Sequence, residues 1–257
     1  MRDEGRTAIA IRPFSFVVED LATCFGSRPK PLTKLQIHIH GRKCYKGLTQ
    51  SVVRISIYGK GEITMDKPIR ILGIAGSLRK ASYNQGALRA AAELAPEGAT
   101  IEIFDLNGIP GFNQDDEQNP PEKVAELKKK IRDADAILFV TPEYNYSVPG
   151  VLKNAIDWAS RPYGDSAWNG KPAAIMGASI GGIATARAQY HLRQMMVFLN
   201  MFPINQPEVM IGNCADKFDD QGTLTDEATK DFIRQLLQNL VDWTRRLEQS
   251  GKSASQG

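Results

Sequence analysis

Apolar, strand-like runs alternate with helical patterns from Pro68 onward, and this alternation constrains the fold more than any other feature of the sequence. Five runs rich in β-branched residues are predicted to be strands: Ile69–Ala75, Thr100–Asp105, Ala136–Thr141, Ala173–Ala178 and Ile204–Ile211. Because these runs are almost continuously apolar, they are typical of strands that are buried on both faces. Strands that alternate with helices predict an α/β fold, with a parallel sheet covered by helices on both sides.

Apolar residues at helical spacing predict the elements between the strands. The longest pattern runs from Asp226 to Leu247, and Thr225 before it is a candidate N-cap. The shorter patterns cover residues 85–95, 122–132, 148–159 and 183–199. We therefore expect one body of alternating elements over residues 65–248, with a disordered tail at residues 249–257.

The first 64 residues differ from this body in charge and in pattern. They contain 11 Lys and Arg against 5 Asp and Glu, a balance of +6, so the formal net charge of +3 leaves −3 for the remainder. Short apolar fragments such as Val52–Tyr58 occur there without a clear partner. The dipeptide Gly61-Glu62 is compatible with a purine-rich ribosome-binding sequence just before Met65. We therefore expect residues 1–64 to be an irregular basic extension that arose from a wrongly assigned start; a genuine basic arm is the alternative.

Cysteine and histidine usage argues against disulfides and metal sites. The three cysteines, Cys24, Cys44 and Cys214, are widely spaced, and no C-x-x-C motif is present. His38 and His40 have no nearby Cys, Asp or Glu, a context more typical of surface residues than of metal ligands. No apolar run approaches the roughly 20 residues that span a bilayer. We expect a protein of the reducing cytoplasm without a metal.

A polar loop, Gly76 to Asn84, joins the first predicted strand to a helix. The start of a helix presents unpaired N–H groups and the positive end of its dipole. Ser77, Ser82 and Asn84 add neutral donors and Arg79 adds a charged one, which suits a phosphate monoester. The loop lacks both G-x-G-x-x-G and G-K-[ST], so dinucleotide and nucleoside triphosphate loops are excluded. A turn with simple helix caps is the alternative reading of this loop alone.

Two more polar loops follow the third and fourth predicted strands. Thr141 to Gly150 contains two tyrosines and an asparagine between two prolines, a combination that can hold a flat heteroaromatic ring. The second of these tyrosines, Tyr146, suits packing or a subunit interface equally well. Ala178 to Gly182 contains paired glycines, which permit a close approach of backbone to a ligand or simply start a helix. In a doubly wound sheet of order 2-1-3-4-5, the three loops meet where flavin mononucleotide (FMN) binds.

With these loops, the sequence resembles the NADPH-dependent FMN reductase family. The resemblance rests on G-S-L-R-x-x-S-x-N at 76–84, P-E-Y-N-Y-S-V-P-G at 142–150 and K-N-A-I-D-W-A-S-R at 153–161, and it is greatest for the quinone and chromate reductase branch. It covers Ile69 to about Leu247 and implies a flavodoxin-like fold. It also implies non-covalent FMN, with Ser77, Arg79, Ser82 and Asn84 at the phosphate, Pro142, Glu143, Tyr144 and Asn145 along the ring, and Ser179, Gly181 and Gly182 at the border of the pocket.

The resemblance further implies an NAD(P)H oxidoreductase that reduces quinones by ping-pong hydride transfer. Chromate, azo compounds and free flavin are additional acceptors that such an enzyme accommodates, and a homodimer or homotetramer is typical. FMN carries the chemistry, so no catalytic side chain is expected, and His191 is expected to serve packing or an interface. A flavodoxin-like electron carrier and a non-catalytic flavin-binding regulatory module are the rival interpretations.

Overall fold

The computed structural model describes residues 67–254 and, before them, five short strand segments. The chain divides into two compact units, Met1–Asp66 and Lys67–Gly257. The described segments of the first unit pair in an antiparallel manner: β1 (Ala8–Ile11) with β2 (Phe14–Val17), and β3 (Lys34–Gln36) with β4 (Ile55–Tyr58) and β5 (Glu62–Met65) in that order. The fragment at 52–58, expected to lack a partner, thus contributes β4, which pairs on both sides. The expectations for Cys24, Cys44, His38 and His40 lie outside the described residues.

The second unit contains a parallel sheet. Its strands are β6 (Ile69–Ala75), β7 (Ala99–Phe104), β8 (Ala136–Val140), β9 (Pro172–Ala178), β10 (Phe202–Pro203) and β11 (Val209–Ile211). They lie in the order β10-β9-β8-β6-β7, and β11 also pairs with β9. Counted within this unit, the order is 2-1-3-4-5 with the fifth place shared by β10 and β11. The predicted flavodoxin-like, doubly wound sheet is confirmed.

The fifth strand differs from its prediction because it is interrupted. The sequence predicts one run at 204–211, whereas the structure has two short strands on either side of Pro207. Proline has no N–H group to donate to the ladder, so a continuous strand cannot pass through this position without losing a bond. Ile204 still donates its N–H to the Ala173 carbonyl at 2.9 Å, just after β10 ends.

In the part of the chain that the structure describes, five α-helices cover the sheet. They are α1 (Tyr83–Glu93), α2 (Glu122–Asp133), α3 (Gly150–Ala159), α4 (Ala186–Phe198) and α5 (Glu227–Ala254). The cap of α5 differs from the prediction, because Asp226 accepts the Thr229 N–H at 2.9 Å while the Thr225 hydroxyl donates to the Lys217 carbonyl. Helix α5 continues six residues into the predicted tail, and residues 255–257 lie outside the described part. No helix among the described residues is long and apolar enough to cross a membrane.

The core consists of two layers, one on each face of the sheet. Neighbouring residues of β6 alternate between them: Ile71 packs in the layer under α1 and α5, and Leu72 packs in the layer under α2, α3 and α4. Both side chains are 1% exposed. This two-sided burial explains why the strand sequences are continuously apolar. It also leaves the carboxyl ends of the strands as the edge where polar loops can gather.

Candidate active site

Three loops meet at the carboxyl edge of the sheet. Residues 76–82 join β6 to α1, residues 141–149 join β8 to α3, and residues 179–185 join β9 to α4. We call them the first, second and third loops. Because β6, β8 and β9 are parallel and lie side by side in the order β9-β8-β6, their carboxyl ends and the loops that follow lie together.

The first loop offers hydrogen-bond donors around the start of α1. Ser82 is the N-cap, and its hydroxyl accepts the Asn84 N–H at 3.2 Å. Within the described part of the chain, the Ser77 hydroxyl and the N–H groups of Ser77, Leu78 and Arg79 have no hydrogen-bond partner, although Ser77 is only 4% exposed. The first turn of α1 contains no acidic residue that would neutralise the helix dipole. These donors fit the phosphate of a mononucleotide.

Arg79 is the cation of this loop. Its side chain is exposed, and its guanidinium lies 5.8 Å from the centroid of the Tyr83 ring. Among the described residues no carboxylate forms an ion pair with it, whereas Arg187 in the neighbouring loop region is paired. Arg79 can therefore offer its full charge to an anionic ligand at the start of α1.

Asn84 connects the first loop to the end of β9. Its side-chain nitrogen donates to the Ala178 carbonyl at 2.9 Å, and the Ala178 N–H donates back to its side-chain oxygen at 2.8 Å. These two bonds occupy the acceptor and one of the two donors of the buried carboxamide. The sequence assigns Asn84 to the phosphate, and the structure gives it a positioning contact that sequence spacing does not reveal.

The second loop forms a tight reversal. Tyr144 and Ser147 exchange both backbone hydrogen bonds, at 2.9 and 3.0 Å, and the two residues between them have positive φ, 49° at Asn145 and 67° at Tyr146. Asparagine adopts this region readily, but a tyrosine there is strained, and such strain is typical of functional loops. Tyr144 and Tyr146 are 53% and 67% exposed. Pro142 is buried where β8 ends.

Glu143 points its side chain at α4 instead of into solvent. Its carboxylate is 5% exposed and accepts the N–H groups of Arg187 and Ala188 at 3.0 and 3.1 Å. It also pairs with the Arg187 guanidinium. Thr185, at the N-cap position of α4, accepts a bond from Gln189 with its hydroxyl, so Glu143 satisfies the helix N-terminus in its place. Contact between residue 143 and a flavin ring, as the sequence predicts, would use the backbone.

The third loop approaches its neighbours through main-chain contacts. The Ser179 N–H donates to the Ile211 carbonyl at 2.9 Å, and the Ser179 hydroxyl accepts the Gly181 N–H at 3.3 Å. Just before it, a Cβ atom on Gly177 would lie 2.1 Å from the Thr141 carbonyl oxygen. Only glycine therefore fits at this position. Gly181 and Gly182 are both exposed.

An open cavity of about 440 Å³ lies between the second and third loops. Its size suits a small-molecule site, for which about 300–1,000 Å³ is usual. It is lined by Glu143, Asn145, Tyr146, Ser179, Gly181, Gly182, Ile183, Ala184 and Arg187. Five of these were assigned to the cofactor from the sequence. The other four are Tyr146, Ile183, Ala184 and Arg187, of which Ile183 and Ala184 are apolar and give no chemical signal in a sequence.

Cys214 and His191 lie near the loops, and each makes a hydrogen bond to one of them. Cys214 is fully buried and its N–H donates to the Ser179 carbonyl at 3.2 Å. Burial raises the pKa of its thiol, so the thiol is protonated at neutral pH. The His191 ring nitrogen Nδ1 lies 2.9 Å from the Ser147 hydroxyl. No cluster of three or more potential metal ligands occurs among the described residues.

The fold is that of a flavodoxin-like protein, and the three polar loops gather at the carboxyl edge of the sheet, where proteins of this fold bind FMN. Residues 69–216 match the model of the NADPH-dependent FMN reductase family. The chain belongs to this family. The predicted enzyme class, an FMN oxidoreductase that depends on NAD(P)H, is thereby confirmed.

Relatives of known name match almost their whole length to this chain. An NAD(P)H-dependent FMN reductase of Pseudomonas aeruginosa is 54% identical over 71% of this chain and 99% of its own. A 2-hydroxy-1,4-benzoquinone reductase of a Burkholderia species is 43% identical over 69% of this chain and 97% of its own. The solved structure of FerB, a flavoenzyme NAD(P)H:(acceptor) oxidoreductase from Paracoccus denitrificans, is similar with a TM-score of 0.64 and 38% identity. That match covers 69% of this chain and 98% of FerB.

Proposed function

We propose that this protein transfers electrons from NAD(P)H to quinones by means of bound FMN. The observation that carries the proposal is the set of unpartnered donors at the start of α1, which lies on the same edge of the sheet as the cavity. Relatives that are named quinone reductases, including a Pseudomonas putida protein 44% identical over 70% of this chain, support the choice of acceptor.

The residues of the first loop would hold the FMN phosphate. Ser77 and the free N–H groups of the loop would donate hydrogen bonds, Arg79 would supply a balancing charge, and the Ser82 hydroxyl has a proton left to donate. Along the ring we propose the backbone of Pro142 to Asn145, with Ser179, Gly181 and Gly182 at the border. When bound, FMN supplies the two-electron chemistry, and the protein supplies position and electrostatics.

The charge balance of the cavity favours flat, neutral acceptors. Arg187 lines the cavity, but the nearly buried Glu143 carboxylate balances its charge. The Tyr146 ring and the glycine backbone of the third loop provide an apolar face and open space for a planar ring. We therefore place quinones first. Azo compounds, free flavin and chromate are lesser acceptors in this proposal, and chromate would depend on Arg79 for its positive field.

One cavity would serve both substrates in turn. The second and third loops form the two walls of this cavity. A nicotinamide and a quinone would both need this face, so the first product would leave before the second substrate enters. This arrangement is the basis of the ping-pong proposal.

We also propose a homodimer or homotetramer that forms through α4. Tyr190, Val197 and Phe198 on this helix are 51%, 82% and 73% exposed, an unusual concentration of apolar surface. The measurement is light scattering on the eluting protein during size-exclusion chromatography. A monomeric mass at micromolar concentration would refute this part of the proposal.

A cytoplasmic location is proposed as well, because reduced nicotinamides are found there and the buried thiol of Cys214 is free.

The test of function is NAD(P)H oxidation by the purified, FMN-loaded protein. The loss of nicotinamide absorbance would be followed with NADPH and NADH, each against a benzoquinone, an azo dye, ferric citrate and chromate. Turnover with the quinone as the best acceptor is expected. An electron carrier would bind FMN but turn over neither nicotinamide, and a regulatory module would bind FMN without any acceptor reduction; either result would refute the proposal.

A further inference from the structure

The second loop and helix α4 are joined by three side-chain contacts. The Glu143 carboxylate binds the backbone and the guanidinium of Arg187. The Arg187 guanidinium carbon lies 3.7 Å from the centroid of the Tyr146 ring. The third contact is the 2.9 Å bond between Ser147 and His191. All of these contacts fall on the first two turns of α4, on the side that the loop covers.

Glu143 is the central member of this set. An ionised carboxylate offers about four lone-pair positions. Here four donors fill them: the N–H groups of Arg187 and Ala188, and two guanidinium nitrogens of Arg187. With the side chain only 5% exposed, the carboxylate has no position left for a ligand. Its presence in the cavity wall therefore needs an explanation other than binding.

The position of Glu143 supplies that explanation. Glu143 belongs to the second loop, and α4 begins directly after the third loop, so the carboxylate links the elements that carry the two walls of the cavity. Because the Glu143 charge also stabilises the positive N-terminus of α4, the link is stronger than a single hydrogen bond. We propose that Glu143 is a positioning residue that fixes the distance between the two walls, and that Arg187 extends this brace to the Tyr146 ring.

The proposal rests on the proposed function, since a fixed gap would select flat rings, whether of the flavin, the nicotinamide or the quinone. The walls contact a flat ring equally in the ground state and in the transition state, so the brace contributes uniform binding, which sets the KM and not the kcat. Loosening the brace is therefore expected to weaken the binding of flat substrates more than it slows the chemistry once they are bound.

The experiment uses the full chain with Glu143→Gln, Arg187→Gln and the double variant. Asp135→Asn is the matched control, because Asp135 is also a nearly buried carboxylate that accepts a backbone N–H, from Arg70 at 2.8 Å, and forms ion pairs. It lies at the other end of β8, away from the loops. Arg187→Gln removes the ion pair but leaves the Glu143 carboxylate bound to the backbone N–H groups of α4. This variant therefore tests the brace even if Glu143→Gln does not fold.

The first readout is steady-state kinetics. Each single variant is expected to raise the KM for the quinone roughly tenfold with a smaller change in kcat, as expected for a loss of uniform binding. The KM of the double variant is expected to be no higher than that of the more impaired single variant, because the two residues act as one unit. Asp135→Asn is expected to leave the KM unchanged. Additive effects of the two substitutions, or an equal KM change in the control, would overturn the proposal.

The second readout is titration of the apoprotein with FMN and with riboflavin, by fluorescence quenching. Loosening the brace affects the ring side, so both ligands are expected to lose affinity by the same factor. A loss confined to FMN would place Glu143 at the phosphate and overturn the proposal. If the parent protein failed to reduce quinones, the proposed function would fail, yet these titrations would still decide whether the brace exists.

Discussion

Replacing Arg79 by alanine tests the phosphate site most directly. A hydrogen bond to a charged group contributes about 1.5–3 kcal/mol. Arg79 is exposed, and solvent screening reduces the contribution of exposed charges, so we expect the lower end of this range, about 1.5 kcal/mol. Since about 1.4 kcal/mol corresponds to a tenfold change in affinity, the Kd for FMN should rise roughly tenfold.

Ser77→Ala provides an independent estimate at the same site. A neutral hydrogen bond contributes about 0.5–1.5 kcal/mol, which corresponds to a rise in Kd of roughly two- to tenfold. Ser77 is 4% exposed, so no compensating water is expected to reach the phosphate through its position. Both substitutions address one ligand group, so their effects need not add.

The assay is fluorescence titration of apoprotein, with FMN and riboflavin compared in each variant. Riboflavin lacks the phosphate, so neither substitution should change its affinity. Arg89→Ala is the control, because Arg89 is an exposed arginine of α1 that binds the Gly222 carbonyl at 3.2 Å, away from the helix start. The assignment would be refuted by an unchanged affinity for FMN, or by equal losses for FMN and riboflavin.

Three further predictions concern kinetics, packing and the N-terminal segment. Initial rates with NAD(P)H and a quinone should give parallel double-reciprocal lines, and intersecting lines would mean two separate sites. Gly177→Ala should lower the free energy of unfolding by about 3 kcal/mol in urea titrations, since its Cβ would lie 2.1 Å from a backbone oxygen; Gly181→Ala, with 3.8 Å to its nearest neighbour, should be almost neutral. A chain that starts at Met65 should bind FMN and oxidise NAD(P)H, and loss of flavin would show that residues 1–64 are needed.

Much of the fold could be predicted from the sequence because local patterns determine it. The continuous apolar runs reflect burial on both faces, and the alternation with helices leaves few topologies that obey the usual connection rules. The break in the fifth strand is an exception, because the apolar run at 204–211 predicts one strand while Pro207 within it cannot donate to the ladder. The sequence does not distinguish Thr225 from Asp226 as the cap of α5, since both are good capping residues and only their partners in the fold decide between them.

The sequence predicts those parts of the candidate site that depend on local signals, and not those that depend on contacts between distant residues. Polar loops after buried strands, and donors at a helix start, can be seen in the sequence. The partner of Glu143 lies 44 residues away and the partner of Asn84 lies 94 residues away, so no spacing rule connects them. A carboxylate that completes another helix and one that faces a ligand look the same in a sequence.

The double bond between Asn84 and Ala178 has a consequence for how this site can change. Strands β6 and β9 are not neighbours, because β8 lies between them. The Asn84 side chain therefore links the start of α1 to the end of β9 past the intervening strand β8, and it keeps the first and third loops in register. The loop after β8 is not needed for that register. Apart from Glu143, which braces α4, its side chains can be exchanged while the first and third loops stay in register, and this makes it the natural place for acceptor preference to diverge.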